Sequence, residues 1–246
     1  HLSNLLVPST RVTVLTGAGV SQESGVPTFR DKDGLWQKFR PEELANMNAF
    51  LRNPSVVWEW YQHRRQVVRE VKPNAGHLAL AEMQKFFRNF TLVTQNVDGL
   101  HERAGSSDVL EVHGNLMRSL CVDCGEFASP DFLMNLRPND KAACTSCRGL
   151  LRPDVVWFGE MLPEDVWTRA QTASENCDLF LSIGTSAAVY PAAGLPLLAQ
   201  SRGAYVVEIN PQLTSVSDQV DETLQGPSAV ILPELVSLMK LHGRPA

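Results

Sequence analysis

Long apolar runs, a basic surface and a disulfide-rich composition are all missing from this sequence. No stretch approaches the roughly 18 consecutive apolar residues of a membrane-spanning helix, so we expect no membrane segment. The net charge of −5 argues against the broad basic field of a nucleic-acid-binding protein. The 246 residues suit one large α/β domain, or such a domain with a small insert.

Targeting signals and repeats are also missing from the sequence. The residues from His1 to Asn4 show no signal-peptide pattern, and the chain contains no internal repeat or low-complexity tract. With only five cysteines, the composition is typical of a reducing compartment. We expect a cytoplasmic, monomeric protein.

Apolar, β-branched segments alternate with helix-like segments along most of the chain. The expected strands are 11–16, 90–94, 155–158, 179–183 and 204–209. The expected helices are 54–71, 74–87, 163–173, 191–202 and 233–242. Strands that are apolar throughout and alternate with helices indicate a parallel sheet covered on both faces. The predicted fold class is therefore α/β.

Four of the five cysteines form two C-x-x-C pairs, Cys121/Cys124 and Cys144/Cys147. Each pair directs two thiolates toward one centre, and two pairs complete the tetrahedral sulfur site that zinc prefers. Four protein ligands leave no open coordination position, so the predicted zinc is structural. A redox pair is the alternative, but that chemistry needs only one C-x-x-C. We expect Cys177, the fifth, to be a small buried hydrophobe.

Gly17-Ala18-Gly19 follows the first expected strand. Such a turn lets backbone approach a pyrophosphate, whose charge the following helix N-terminus stabilises. Gln22 occupies the place of the third glycine of G-x-G-x-x-G, so an ordinary hydride-transferring Rossmann enzyme is disfavoured. Taken alone, the turn could equally be structural.

Further segments follow in a fixed order around the four cysteines. They are GAGVSQESGVPTFR (17–30), GLW (34–36), TQNVD (94–98), LH (100–101), EVHG (111–114), LRP (151–153), VWFGE (156–160), GTS (184–186), YPAA (190–193) and IN (209–210). Together they resemble the sirtuin family over about residues 11 to 233. The resemblance implies a Rossmann-like NAD-binding domain, formed by about 1–35, 74–115 and 160–246. It also implies an inserted smaller domain with a helical part, about 36–73, and a zinc ribbon, about 116–159.

The resemblance implies an NAD-dependent protein-lysine deacylase. NAD would be consumed as a co-substrate, and the products would be free lysine, nicotinamide and O-acyl-ADP-ribose. The partners would be acylated lysine side chains of proteins. His113 is expected to be the general base, a task that suits a side chain that titrates near neutral pH. Asn96 and Asp98 are expected to order the ribose and the nicotinamide carboxamide.

The same resemblance predicts which residues contact NAD. Gln95 is assigned to the ribose nearest nicotinamide, and Phe29 and Arg30 to a loop that closes over NAD. The full predicted set is Gly17, Ala18, Gly19, Ser21, Phe29, Arg30, Trp36, Gln95, Asn96, Asp98, Gly184, Thr185, Ser186, Asn210, Pro211, Gln212 and Ser228.

The expected peptide site is the segment Val156, Trp157, Phe158 and Gly159, with a loop near 188–190. A substrate peptide would add there as a strand, so that backbone bonds give affinity with little demand on sequence. Core packing is the alternative reading for either Trp157 or Phe158.

Tyr61 and Arg64 stand three residues apart and share a face of an expected helix. In the sirtuin subgroup that removes acidic acyl groups, a Y-x-x-R pair grips the distal carboxylate. Guanidinium and phenol are suitable donors for that group, so desuccinylation and demalonylation are expected beside deacetylation. A solvated helix face is the alternative, and it is the expectation for Arg65 and Arg69.

Two other functions remain open at this point. The same cleft could act as an NAD glycohydrolase or a mono-ADP-ribosyltransferase. A different class of protein, a non-catalytic NAD-sensing zinc-ribbon module, is disfavoured by the presence of His113, Asn96 and Asp98 together.

Overall fold

The computed structural model describes residues 2–27, 44–135 and 142–242. Its strands are β1 (Arg11–Thr16), β2 (Asn89–Thr94), β3 (Leu110–Glu111), β4 (Gly114–Cys121), β5 (Leu151–Val155), β6 (Leu179–Ile183), β7 (Tyr205–Asn210) and β8 (Glu222–Gln225). Six of them form one sheet in the order β3-β2-β1-β6-β7-β8, with every neighbouring pair parallel. The predicted α/β class is confirmed.

Helices cover this sheet and its insert. They are α1 (Leu2–Leu5), α2 (Ala18–Gln22), α3 (Met47–Arg52), α4 (Pro54–Glu70), α5 (Ala75–Phe86), α6 (Leu100–Arg103), α7 (Pro130–Asn135), α8 (Glu164–Asn176), α9 (Leu195–Ser201) and α10 (Ser228–His242). A 3₁₀ turn, Ala192–Gly194, precedes α9. Within the described ranges, none of the helices combines the length and apolar character needed to span a bilayer.

Apolar clusters lie on both faces of the six-stranded sheet. Val14 and Leu181 pack with α5 and α10 on one face, whereas Leu15 and Phe180 pack with α8 and α9 on the other. Successive strand residues point to opposite faces, so strands buried on both sides are apolar at every position. This is why their continuous apolar runs predicted the sheet.

A third apolar cluster joins α3 and α4 to the antiparallel pair β4–β5. Trp58 of α4 belongs to it, and the Trp58 indole N–H donates to the Leu151 carbonyl at 2.8 Å. The cluster draws mainly on the segments 44–68 and 116–157 and thereby supports the proposed smaller domain. Its exact boundaries stay a prediction.

Arg65 corrects one expectation drawn from the helix pattern. Its side chain is 1% exposed and donates to the carbonyls of Leu116 and Arg118 and to Ser119 Oγ on β4. The prediction of a solvated Arg65 was therefore wrong, because α4 turns this position toward strand carbonyls that need donors. Arg69, by contrast, is exposed as expected.

Two element predictions were also wrong. Residues 156–158 are not a strand, and the preceding β5 pairs antiparallel with β4, outside the six-stranded sheet. The last helix begins at Ser228, not at Pro233, which lies inside α10. Proline as a helix start is a statistical preference, and here the residues before Pro233 are already helical.

The four paired cysteines converge at one end of the β4–β5 ladder. Their Sγ atoms lie within 4.8 Å of one another, with separations of 3.4 Å for Cys121–Cys147 and 3.8 Å for Cys124–Cys144. A tetrahedral zinc with bonds of about 2.3 Å requires sulfurs roughly 3.8 Å apart, so the set fits one zinc ion.

The zinc position lies at one end of the β4–β5 ladder, and His113 lies next to the opposite end. Cys121 pairs with Leu151, whereas Gly114, next to His113, pairs with Val155. At about 3.3 Å per residue, the two ends of β4 are separated by roughly 20–25 Å. This distance and the four cysteine ligands indicate a structural zinc, which joins the two chain segments of the ladder.

We predict that Arg65→Leu lowers the free energy of unfolding by about 2–4 kcal/mol, because a buried carbonyl, a part-buried carbonyl and a buried hydroxyl lose their donor. Urea denaturation measures this. Arg69→Leu, at an exposed position of the same helix, is the matched control and should shift stability by no more than about 0.5 kcal/mol. Equal effects of the two variants would contradict the role of Arg65 as a buried link between α4 and β4.

We predict one zinc per chain, and its loss in Cys147→Ala. Metal analysis of the purified protein should fall from one equivalent to near zero, with a melting temperature lower by about 10 °C or more. Cys177→Ala is the matched control, because Cys177 is buried beside α8, where its thiol donates to the Ser174 carbonyl, and it should keep the zinc. Full zinc content in Cys147→Ala would refute the four-sulfur site.

Candidate functional site

Four parallel strands bring their carboxyl ends to one edge of the sheet. Residues at the ends of β2, β6 and β7 are connected there through Thr185. Gln95 Nε2 donates to Thr185 Oγ1 at 3.0 Å, and Asn210 Nδ2 donates to the Thr185 carbonyl at 3.0 Å. Open parallel sheets bind ligands at this edge, in the crevice where the strand order reverses. Here β1 lies between β2 and β6, so the crevice opens beside the turn after β1.

The glycine turn after β1 packs directly on Gly184. Gly19 N–H donates to the Gly184 carbonyl at 2.8 Å, and Gly17 N–H donates to Ile183 at 3.0 Å. A Cβ on Gly17 or on Gly19 would stand 2.8 Å from the Gly184 oxygen. The glycines are therefore required by contact between two loops. Of the predicted turn residues, Ala18 alone has an amide outside this contact.

A buried hydrogen-bond network joins this turn to the loop after β2. Asn96 Nδ2 donates to the Gly17 carbonyl at 3.0 Å and to Ser21 Oγ at 3.1 Å. Ser21 Oγ in turn donates to Asp98 Oδ2 at 2.7 Å. Because both partners of the Asn96 amide nitrogen fix its orientation, Asn96 Oδ1 is left as an acceptor facing away from the turn.

The Asp98 carboxyl group is held from both sides. Oδ2 accepts from Ser21, and Oδ1 accepts from the Leu100 N–H at 2.9 Å. Burial raises the pKa of Asp98, and the two hydrogen bonds work against that increase. A buried carboxyl group with a fixed orientation can accept from a ligand amide.

His77 belongs to the same network, and the sequence interpretation missed it. Its Nδ1 accepts from the Asn74 N–H, so Nε2 carries the proton and faces Ser21 Oγ at 3.4 Å. Burial lowers the pKa of His77 to about 4, which keeps the ring neutral. The detectable signal was a polar residue at a core-facing position in the first turn of α5, where Asn74 is the cap.

His113 lies directly before β4, and its tautomer is set by the backbone. Its Nδ1 is 3.0 Å from the Gln95 carbonyl, which can only accept, so Nδ1 carries the proton and Nε2 has a lone pair. Burial lowers the pKa of His113, partly offset by this bond to Gln95. At neutral pH the ring is a neutral base with Nε2 available.

Tyr61 packs in the third apolar cluster, and Arg64 stands one turn further along α4. The Arg64 guanidinium carbon is 5.7 Å from the centre of the Tyr61 ring and 5.0 Å from that of Trp60. Burial lowers the pKa of Arg64, whereas Tyr61 and Asp98 raise it by electrostatic attraction. Of the predicted acyl-reading pair, Arg64 thus lies close enough to Asp98 for their charges to attract each other.

The segment after β5 uses most of its own amides. Val156 N–H donates to the His113 carbonyl and Phe158 N–H to the Ala45 carbonyl, both at 3.0 Å, and Trp157 N–H donates to Glu160. The Gly159 N–H donates to no group among the described residues. Trp157 is buried, whereas Phe158 and Gly159 are exposed. Trp157 therefore packs in the core, and a peptide strand has fewer donors here than expected.

The remaining predicted NAD residues are placed as follows. Ala18 and Ser186 are half-buried near the turn, and Pro211 and Gln212 are exposed after β7. Ser228 is buried at the start of α10, where its hydroxyl is 3.5 Å from Glu23 Oε1. Phe29, Arg30 and Trp36 lie outside the described residues.

Known proteins resemble this chain over nearly its whole length. The model of the Sir2 family matches residues 17–191. The NAD-dependent protein deacylase of Aquifex aeolicus is 51% identical over 214 residues, covering 85% of this chain and 87% of the relative. The NAD-dependent protein deacylase 1 of Archaeoglobus fulgidus is 46% identical over 235 residues, covering 96% and 95%.

Solved structures resemble it equally well. A Sir2 homologue in complex with NAD has a TM-score of 0.90 and 44% identity, covering 98% of this chain and 93% of its own. A mutant Sir2 homologue in complex with ADP-ribose also has a TM-score of 0.90, at 43% identity and 98% and 96% coverage. The fold is thus shared with these proteins over nearly the whole chain, and the chain belongs to the Sir2 family.

Proposed function

We propose that this chain is an NAD-dependent protein-lysine deacylase. The observation that carries the proposal is the pairing of a backbone-fixed base, His113, with the buried Asn96–Ser21–Asp98 network at the carboxyl edge of the sheet. The deacylase names of relatives that are about half identical over most of the chain support it. When bound, NAD supplies the ribose carbon that accepts the acyl oxygen as nicotinamide departs.

The proposed task of His113 is to remove a proton from a ribose hydroxyl. Its Nδ1–H is held by Gln95, so Nε2 is the nitrogen that would take the proton. The bond from Nδ1–H to a carbonyl also stabilises the imidazolium that forms. The carbonyl of His113 accepts from Val156, which ties the base to the segment where the peptide is proposed to bind.

The chemistry of the acceptors at this edge fits NAD. Asn96 Oδ1 is suited to accept from a ribose hydroxyl, and the Asp98 carboxylate to accept from the carboxamide NH₂ of nicotinamide. Their own partners within the chain hold both side chains in place before a ligand binds. Such preorganisation lowers the cost of ordering the site.

We further propose that acidic acyl groups are accepted beside acetyl. The Arg64 guanidinium lies beside the Tyr61 ring, on the side of α4 that faces Asp98. A half-buried cation beside a buried phenol would bind the distal carboxylate of a succinyl or malonyl group through charge-assisted bonds. Desuccinylation and demalonylation are thus the finer part of the proposal.

NAD glycohydrolysis and ADP-ribosyl transfer are the competing outcomes in the same cleft. Mass spectrometry of a reaction with acyl-lysine peptide and NAD separates them. Free lysine peptide with O-acyl-ADP-ribose supports deacylation. Nicotinamide release that does not depend on the acyl peptide supports glycohydrolysis, and ADP-ribosylated peptide supports transfer.

We predict that kcat/KM falls at acidic pH with a midpoint below 6.5, the ordinary pKa of histidine. Because burial lowers the pKa of His113, the ring stays a base until the pH drops below that value, where protonation blocks Nε2. A pH–rate profile with acetyl-lysine peptide measures this. His113→Ala should lose at least about 100-fold in turnover. Unchanged turnover would favour a non-catalytic NAD-sensing module.

We predict that Arg64→Met lowers kcat/KM on succinyl-lysine peptide by about 10- to 100-fold, since a buried charge-assisted bond contributes about 1.5–3 kcal/mol. Acetyl-lysine, which has no distal carboxylate, should be affected far less. Arg69→Met, at an exposed position of the same helix, is the matched control for lost charge. Equal losses of Arg64→Met on both substrates would rule out acyl reading by this residue.

A further inference from the structure

Trp157 makes a buried contact with Tyr61. Its indole Nε1–H donates to the Tyr61 hydroxyl oxygen at 2.8 Å, and the two residues are 1% and 0% exposed. An indole N–H can only donate, so the phenol accepts in this bond and its own proton must point elsewhere. Among the described residues, the bond from Trp157 is the one hydrogen bond of the Tyr61 hydroxyl group. The phenolic proton therefore has no acceptor among the described residues.

A charged pair holds the Trp157 ring in this position. The Arg152 guanidinium carbon lies 3.6 Å from the ring centre, which is a close cation–π contact. Glu160 accepts from Arg152 Nη2 at 2.9 Å and from the Trp157 N–H at 2.8 Å. Phe50 packs against the ring with its centre 5.3 Å away. The indole is thus fixed by groups that are independent of any substrate.

We propose that Trp157 is a positioning residue for acyl recognition, because its indole N–H turns the Tyr61 hydroxyl so that the phenolic proton is directed to the distal carboxylate of an acidic acyl group. Arg152 and Glu160 support this arrangement by fixing the indole. The inference rests on the proposed acidic-acyl activity and deepens it. An acetyl group has no distal carboxylate and so makes no use of this proton.

Burial raises the pKa of the Tyr61 phenol, with its neighbouring cations working against the increase. The phenol therefore stays protonated at neutral pH and remains a donor. Core packing alone is the competing explanation for Trp157. Under that explanation the ring volume matters and the indole N–H does not, which gives an experimental distinction.

Trp157→Phe tests the inference, since it removes the N–H and keeps an aromatic ring. We expect the ratio of kcat/KM on succinyl-lysine to kcat/KM on acetyl-lysine to fall about 2- to 10-fold, through KM of the succinyl peptide. Trp58→Phe is the matched control, because it loses an indole bond of the same length, to the Leu151 carbonyl, in the same apolar cluster. Its ratio should equal that of the unchanged protein.

Replacement of Trp157 by β-(3-benzothienyl)alanine covers the case in which Trp157→Phe does not fold. That side chain keeps the indole shape and replaces the N–H with sulfur, so the same fall in the ratio is expected. A ratio equal to that of the unchanged protein in this variant would overturn the proposal and leave Trp157 as a packing residue.

The double variant Tyr61→Phe/Trp157→Phe gives a second readout. Once the phenolic hydroxyl is gone, loss of the indole N–H should not change the ratio further, whereas independent effects would add. Additive effects would overturn the proposal. If Arg64→Met is selective and Trp157→Phe is not, this inference fails alone. If Arg64→Met weakens both substrates equally, the acidic-acyl function fails and this inference fails with it.

Discussion

The contact between the turn after β1 and the end of β6 determines the geometry of the whole catalytic edge. Gly17 and Gly19 lie so close to Gly184 that no side chain fits between them, and two backbone hydrogen bonds hold the approach. The same turn presents the Gly17 carbonyl to Asn96 and the Ser21 hydroxyl to Asp98. Residues from distant parts of the chain are thereby fixed relative to one another before any ligand is present.

The β4–β5 ladder connects the third apolar cluster to the crevice. At one end β4 begins beside His113, and at the other its last residue, Cys121, belongs to the zinc cluster. Arg65 of α4 donates to carbonyls along the middle of β4. Because α4 also carries Tyr61 and Arg64, the metal and the buried arginine brace the helix that is proposed to read the acyl group. Neither of them needs to contact a substrate to influence specificity.

The sequence predicted those elements whose burial follows a simple period. The strands β1, β2, β6 and β7 are buried on both faces, so their apolar runs were unambiguous to within one residue. The cysteine spacing predicted the zinc cluster because ligand geometry depends only on the two turns. By contrast, β4 and β5 alternate irregularly around a register shift, and their pairing bridges a long insert that local patterns do not describe.

Side-chain partners across elements were beyond the reach of sequence patterns. Arg65 and Arg69 both looked like solvated positions of a charged helix, yet β4 covers only Arg65. The segment after β5 looked like a strand because its residues are apolar, as in a buried strand, although Trp157 is buried without any strand pairing. Its amides bond instead to His113 and Glu160, and that depends on how two distant segments meet.

Three histidines near the same edge illustrate why His113 is the proposed base. Burial lowers the pKa of His77 to about 4 and that of His101 to about 3. Both nitrogens of His77 are engaged by Asn74 and Ser21, and His101 Nε2 is 2.9 Å from Thr16 Oγ1.

His113 is the half-buried member of this group, and only its Nδ1 is bound within the described part of the chain. A general base must keep one ring nitrogen within reach of the ligand. It must also be able to take up and release a proton near neutral pH. His77 and His101 fail on both counts, because their nitrogens face the interior and their rings resist protonation. Because both rings stay neutral, they keep Ser21 and Thr16 oriented, and of the three histidines His113 is the one proposed to transfer the proton.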